Sequence, residues 1–177
     1  MQFFRDRPIL KYGVISVVSY WTLTLLSVLV VDGSLLLLSF YTPGTIFGIF
    51  LFVGFDSLKI QCRLFPLSIV LLSTIFYIAV ILFCGRDIFF SIQVRHFLSC
   101  GLGAVFLFLS VFLSYKVDFS IYEYLLAFVV GLATTFFMWT DKFESFNPWL
   151  IFFCIGLWQL AISFLLDRKL SKDDLAK

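Results

Sequence analysis

Apolar residues run along this chain in six long blocks, each close to the roughly 20 residues that a helix needs to cross about 30 Å of hydrocarbon. The blocks are Tyr12–Val31, Leu35–Phe55, Leu64–Cys84, Phe97–Tyr115, Ile121–Thr140 and Pro148–Leu166. Between them lie Asp32-Gly33-Ser34, Asp56 to Arg63, Gly85 to His96, Lys116 to Ser120 and Asp141 to Asn147. Every break carries charge or a turn former, as chain re-entering water requires. The pattern predicts an all-α fold, a polytopic transmembrane helical bundle of about six spans. The shortest break, Asp32-Gly33-Ser34, demands a very tight hairpin, so four spans plus interfacial segments is the alternative.

Three stretches depart from uniform apolar helix. Thr42-Pro43-Gly44 falls inside the second block and predicts a kink or an irregular first turn there. Arg86 to His96 mixes Ile88, Phe89, Phe90, Ile92 and Val94 with Asp87, Ser91, Gln93 and Arg95. It reads as an outer loop lying in the interface, with a short amphipathic helix as one form. In the tail, Leu166, Leu170 and Asp174 recur at four-residue steps, so the sixth helix can continue beyond the apolar block.

Composition turns this pattern into a class. Of 177 residues, 62% are hydrophobic and 14% charged, and the mean hydropathy is +1.06. Soluble domains lie near half apolar and a quarter charged, so the chain reads as an integral membrane protein. It is expected to form a single domain over 1–177, with segment 1–11 and tail 167–177 flanking a bundle over 12–166. Arg5, Arg7 and Lys11 before an apolar run resemble a secretory signal in outline. The run is longer than such a signal's core, and no small-x-small cleavage site follows, so it reads as a retained first span.

Charge orients the bundle. With the N-terminus in the cytoplasm, ten of the 13 basic residues fall in inner segments and only Arg86, Arg95 and Lys142 fall outside. An even number of spans then leaves both basic ends in the cytoplasm. Short loops and this Lys/Arg bias suit the cell membrane, specifically a bacterial inner membrane. A formal net charge of +2 leaves no basis for a nucleic-acid partner.

Candidate chemistry is sparse. Glu123 is the one acidic residue inside a predicted span, about a turn from its cytoplasmic edge. Its two readings are a proton or cation site and a carboxylate that reaches the interface beside Lys116. His96 is the only histidine, which leaves no basis for a multi-histidine metal site. With Arg95 it forms a candidate outer-face contact, or simply helps to start the fourth helix. Cys84 and Cys100 fall in the outer half, where an oxidising compartment would permit a bridge. No serine stands in a nucleophile motif, so neither catalytic residues, metal nor cofactor is expected.

The remaining candidates concern helix packing or a pore. Gln159 lies mid-span beside Trp158, and a mid-membrane amide needs a partner, for which Thr134 or Thr135 would serve. Gly44 and Gly48 stand four apart on the second helix beside Pro43, a spacing that lets helices approach closely within a chain or between chains. These features suggest a non-catalytic membrane subunit, anchor or sensor of a larger assembly, such as a defence, immunity or envelope-assembly complex. Its expected partners are the lipid bilayer, further copies or other subunits, and a cytoplasmic protein at the tail. The alternative is an oligomeric channel or a small carrier for an amphipathic substrate. An intramembrane lipid enzyme would need Glu123, Asp118 and His96 to converge across opposite leaflets.

Overall fold

The computed structural model describes residues 7–30, 42–85, 92–134 and 148–175. Among them the chain is all-helical, with six helices and no strand. They are α1 (Pro8–Val30), α2 (Pro43–Ser57), α3 (Ser68–Gly85), α4 (Ile92–Ser114), α5 (Ile121–Ala133) and α6 (Pro148–Leu175). One helix therefore falls in each apolar block.

Local chemistry explains the ends. All four prolines stand at or just before a helix start: Pro8, Pro43 and Pro148 open their helices, and Pro66 lies two residues before Ser68. The first turn is where a missing N–H costs nothing. The C-terminus of α2 is closed by a Schellman motif. Lys59 adopts a left-handed φ of 54°, its N–H donates to the Asp56 carbonyl at 2.9 Å, and the Ile60 N–H reaches the Phe55 carbonyl at 3.2 Å. The start of α5 carries a capping box between Ser120 and Glu123.

Several predicted boundaries move. Pro43 begins the described second helix, with Thr42 as its N-cap. The earlier part of that block lies in 31–41, outside the described residues. Helix α4 reaches back to Ile92 and absorbs the end of the stretch expected to form an outer loop. Helix α6 continues unbroken past the apolar block to Leu175, which realises the helical tail. Among the described residues two segments, Pro8–Leu26 and Phe97–Ser114, are long and apolar enough to cross a membrane. Pro43–Ser57, Ser68–Phe83 and Ile121–Ala133 are apolar but shorter.

The helices form a closed ring in chain order. Each packs on its sequence neighbour, and α1 closes the ring against α6. Neighbours run antiparallel. Along the α1–α6 pair, Ile9 meets Asp167, Gly13 meets Ser163, Ser16 meets Gln159, and Trp21 meets Phe153. Along α2–α3, the hydroxyls of Thr45 and Thr74 lie 3.0 Å apart, and Gly48 rests on Val70. The start of α1, the α2–α3 and α4–α5 connections and the C-terminal part of α6 thus share one end of the ring. There Cys62 and Tyr115 form an isolated antiparallel bridge that ties the two connections together.

The interior is filled by Phe47, Leu51, Phe55, Leu107, Phe108, Val111 and Ile162, all buried. Phe55 stacks on Tyr115 with ring centroids 4.4 Å apart. Large apolar side chains also cover the outside, including Val18 on α1, Leu71 on α3 and Val129 on α5. The buried polar residues include Ser16, Ser73, Ser110, Gln159 and Ser163. Several hydroxyls are satisfied by carbonyls of their own helix, as when Ser110 donates to Phe106 at 2.8 Å and Thr24 to Tyr20 at 2.9 Å.

Candidate functional site

Gln159 is the centre of a buried polar seam. Antiparallel packing of α6 on α1 brings it level with Ser16, whose hydroxyl donates to Oε1 at 3.2 Å. Its own Nε2 donates to the Pro43 carbonyl at the first turn of α2, at 3.4 Å. One amide therefore joins three helices, and Gln159 is wholly buried. Of the two expected threonine partners, Thr134 is not used. Thr134 donates instead to the Gly131 carbonyl of its own helix at 2.8 Å, and Thr135 lies outside the described residues. The reason is rotational: Gln159 sits on the face of α6 turned toward α1 and α2, whereas Thr134 belongs to α5.

Trp158 takes the adjacent face of α6 and points across the ring. Its indole Nε1 donates to the Cys100 carbonyl of α4 at 3.0 Å, and its ring meets Phe47 of α2 edge-on at 5.9 Å. Beside it lies a cavity of about 70 Å³ lined by Gly44, Phe47, Ser73, Tyr77, Cys100 and Trp158, among others. Gly44 and Gly48 complete the group of residues expected at a pore or helix interface. Their small faces are taken up inside the chain, where Gly44 packs on Tyr77 and Gly48 on Ser73 and Val70 of α3. Pro43, Gly44, Gly48, Trp158 and Gln159 thus gather at the junction of α2 with its neighbours. Thr134 does not join them.

A second group occupies the end of the ring where the connections meet. Glu123 stands at the first turn of α5, where its Oε2 accepts from the Ser120 N–H at 2.7 Å and from the Ser120 hydroxyl at 3.1 Å. Its other oxygen pairs with Lys169 of α6 at 3.2 Å. The sequence suggests Lys116 as the neighbour. Lys116 instead donates to Gln61 at 2.8 Å, because the Cys62–Tyr115 bridge holds it over the α2–α3 connection. Arg63 pairs with Asp118, donates to the Tyr115 carbonyl at 2.9 Å, and lies 4.6 Å over the Phe112 ring.

Asp167 does not stand out in the sequence, where it is one acid beside Arg168 and Lys169. Only 5% exposed, it accepts at Oδ1 from the N–H groups of Ile9 and Leu10 at the start of α1. Burial pushes its carboxyl above the ordinary carboxylate range, against the opposing pull of those two amides and of Arg7. A lone acid at the end of an apolar run is the available hint, but nothing local names its partner.

Arg95 and His96 stand in the first turn of α4, and their side chains lie outside the described residues, as does that of Cys84. Among the described residues, no group of three or more His, Cys, Asp or Glu side chains could hold a metal ion. No family model, no curated protein and no solved structure matches this chain.

Proposed function

We propose that the chain is a six-span membrane protein with both ends in the cytoplasm, acting as a non-catalytic membrane subunit that anchors or senses for a larger assembly. The observation that carries this reading is the apolar exterior of the ring, set around a core whose polar seam at Gln159 is bonded. Leucine, isoleucine and valine cover the exterior, while Ser16, Gln159 and Ser163 are buried and bonded to one another or to backbone. Water would penalise such a surface, whereas hydrocarbon would not. The end holding Arg63, Lys116, Arg168 and Lys169 faces the cytoplasm in this reading, which suits a bacterial inner membrane.

The anchoring role draws support from how the candidate groups are used. Gln159 and Trp158 spend their hydrogen-bonding capacity on neighbouring helices, and Glu123 divides its own between the cap of α5 and Lys169 of α6, as a scaffold requires. Helix α6 extends beyond Leu166 to Leu175 and offers a helical handle to a cytoplasmic protein. Two measurements test the reading. Membranes washed at alkaline pH should retain the chain, and impermeant thiol reagents should label cysteines introduced at either terminus only from the cytoplasmic side. Purification in mild detergent should then recover a second component or a higher oligomer. A lone monomer would defeat the subunit role.

The 70 Å³ cavity beside Trp158 favours a second reading, a carrier for the chain of an amphipathic molecule. Gly103 lines it, and a β-carbon added there would meet only Trp158, at 3.6 Å. Transport unchanged by Gly103→Leu would remove that reading.

A further inference from the structure

The third apolar block begins at Leu64, but α3 begins only at Ser68. Leu64-Phe65-Pro66-Leu67 is the remainder, and local chemistry keeps it out of the helix. Pro66 has no N–H to give, and it biases Phe65 away from helical backbone. The chain turns instead, with the Ser68 N–H donating to the Phe65 carbonyl at 2.9 Å and the Val70 N–H to the Leu67 carbonyl at 3.1 Å. All four residues are exposed, and Leu64, Phe65 and Leu67 are each more than half exposed.

Neighbouring elements fix the level of this segment. The Arg63 N–H donates to the Ser114 carbonyl at 2.8 Å, which sets Leu64 beside the last residue of α4, where the apolar run Phe97–Ser114 ends. Arg63 also pairs with Asp118 and donates to the Tyr115 carbonyl, and both contacts hold the segment at that level. Helix α3 has 18 residues and is about 27 Å long, slightly short of the roughly 30 Å of hydrocarbon it would cross. Its entry therefore lies at the edge of that layer and not beyond it.

Such a segment makes two demands. Its apolar side chains favour hydrocarbon, while its non-helical backbone needs water within reach. The head-group layer of a bilayer meets both. Leu67 is followed at four-residue steps by Leu71 and Ile75, each more than half exposed, so the segment continues the apolar outer face of α3. The α4–α5 connection repeats the arrangement at the same end of the ring, where Ile121 and Tyr122 stand exposed in the first turn of α5. We propose that Leu64-Phe65-Pro66-Leu67 lies in the head-group layer of the cytoplasmic leaflet and anchors this end of the ring to the lipid surface. This rests on the membrane reading given above.

The test places a spin label on single cysteines in the full chain, with the native cysteines replaced by alanine, in vesicles of phosphatidylcholine and phosphatidylglycerol. Collisions with oxygen, which concentrates in hydrocarbon, are compared with collisions with a water-soluble nickel chelate to give the depth of each label. Ile75→Cys marks the outer face of α3, and a cysteine added at the C-terminus marks water. Labels at Phe65→Cys and Leu67→Cys should lie about 5–10 Å inside the phosphates, shallower than Ile75 and deeper than the C-terminus. Far-UV circular dichroism checks the fold of each variant, and the two positions report independently. Nickel-dominated collisions at Phe65 and Leu67, with oxygen-dominated collisions at Ile75, overturn the proposal and leave the spans standing. A depth equal to that of Ile75 overturns it as well, as do labels shielded from both reagents, which would mark a protein cap or a second copy over the segment. Nickel-dominated collisions at Ile75 itself would remove the membrane reading, and this anchor with it.

Discussion

Asp167 caps α1 from 158 residues away: its Oδ1 accepts the Ile9 N–H at 3.2 Å, and the Leu10 N–H at 3.4 Å. Helix α1 starts at Pro8, and the residue before it, Arg7, has no acceptor side chain to serve its own helix. The chain solves a local problem with a distant residue, and in doing so it fastens the first helix to the last.

Asp167→Ala should therefore cost about 1–2 kcal/mol, the range for a lost N-cap, while Asp167→Asn, which keeps an acceptor oxygen, should cost less. Thermal unfolding of the detergent-solubilised chain orders the three proteins. Equal melting of Asp167→Ala and the parent would show that the cap contributes nothing.

The same carboxyl sets a pH dependence. Burial raises its folded-state pKa above the ordinary 3.8, so the folded chain holds the proton more tightly than the unfolded chain. Its contribution to stability is full below that ordinary value and is lost as pH rises through the folded-state value. Melting temperature measured upward from pH 4 should fall more steeply in the parent than in Asp167→Asn, and parallel curves would contradict the burial argument.

Gln159 and Ser16 should be energetically coupled. Gln159→Leu keeps the volume but strands the Ser16 hydroxyl and the link to Pro43. Interhelical hydrogen bonds inside membrane proteins average about 0.6 kcal/mol and reach about 1.7, and a loss of that size is expected. A double-mutant cycle with Ser16→Ala measures it, and strict additivity would mean that the seam is not a working bond.

Glycines on α4 and α5 should differ sharply in tolerance. A side chain at Gly131 would run into the Cys100 carbonyl of α4, a backbone atom that cannot swing away. Gly131→Ala should thus force the helices apart and cost about 1–3 kcal/mol. At Gly103 the nearest atom to an added methyl is Trp158 Cζ2 at 3.6 Å, so Gly103→Ala should be nearly neutral. Chemical denaturation in mixed micelles compares the two.

Lys59 holds the left-handed position of the Schellman turn after α2, where a β-carbon costs energy. Lys59→Gly should stabilise the chain by about 0.5–1 kcal/mol, and Lys59→Val should destabilise it. Unfolding midpoints that move the other way would remove the strain argument.

The helices are legible in the amino-acid sequence itself. Block length, the four prolines and the Ser120–Glu123 spacing are local features, and each fixes a helix or an end through atoms a few residues apart. The count of helices, their approximate limits and the apolar exterior follow from them. What each side chain meets does not. Every residue along a helix turns the side chain by about 100°, so the partner of Gln159 or Glu123 depends on how all six helices are rotated and registered together. Only that joint arrangement pairs Gln159 with Ser16 rather than Thr134, and Glu123 with Lys169 rather than Lys116. It also turns the Gly44–Gly48 face toward α3 and carries Asp167 to the start of α1. Sequence determined which stretches are helical because that decision is local; tertiary structure decided the contacts because packing is settled by every helix at once.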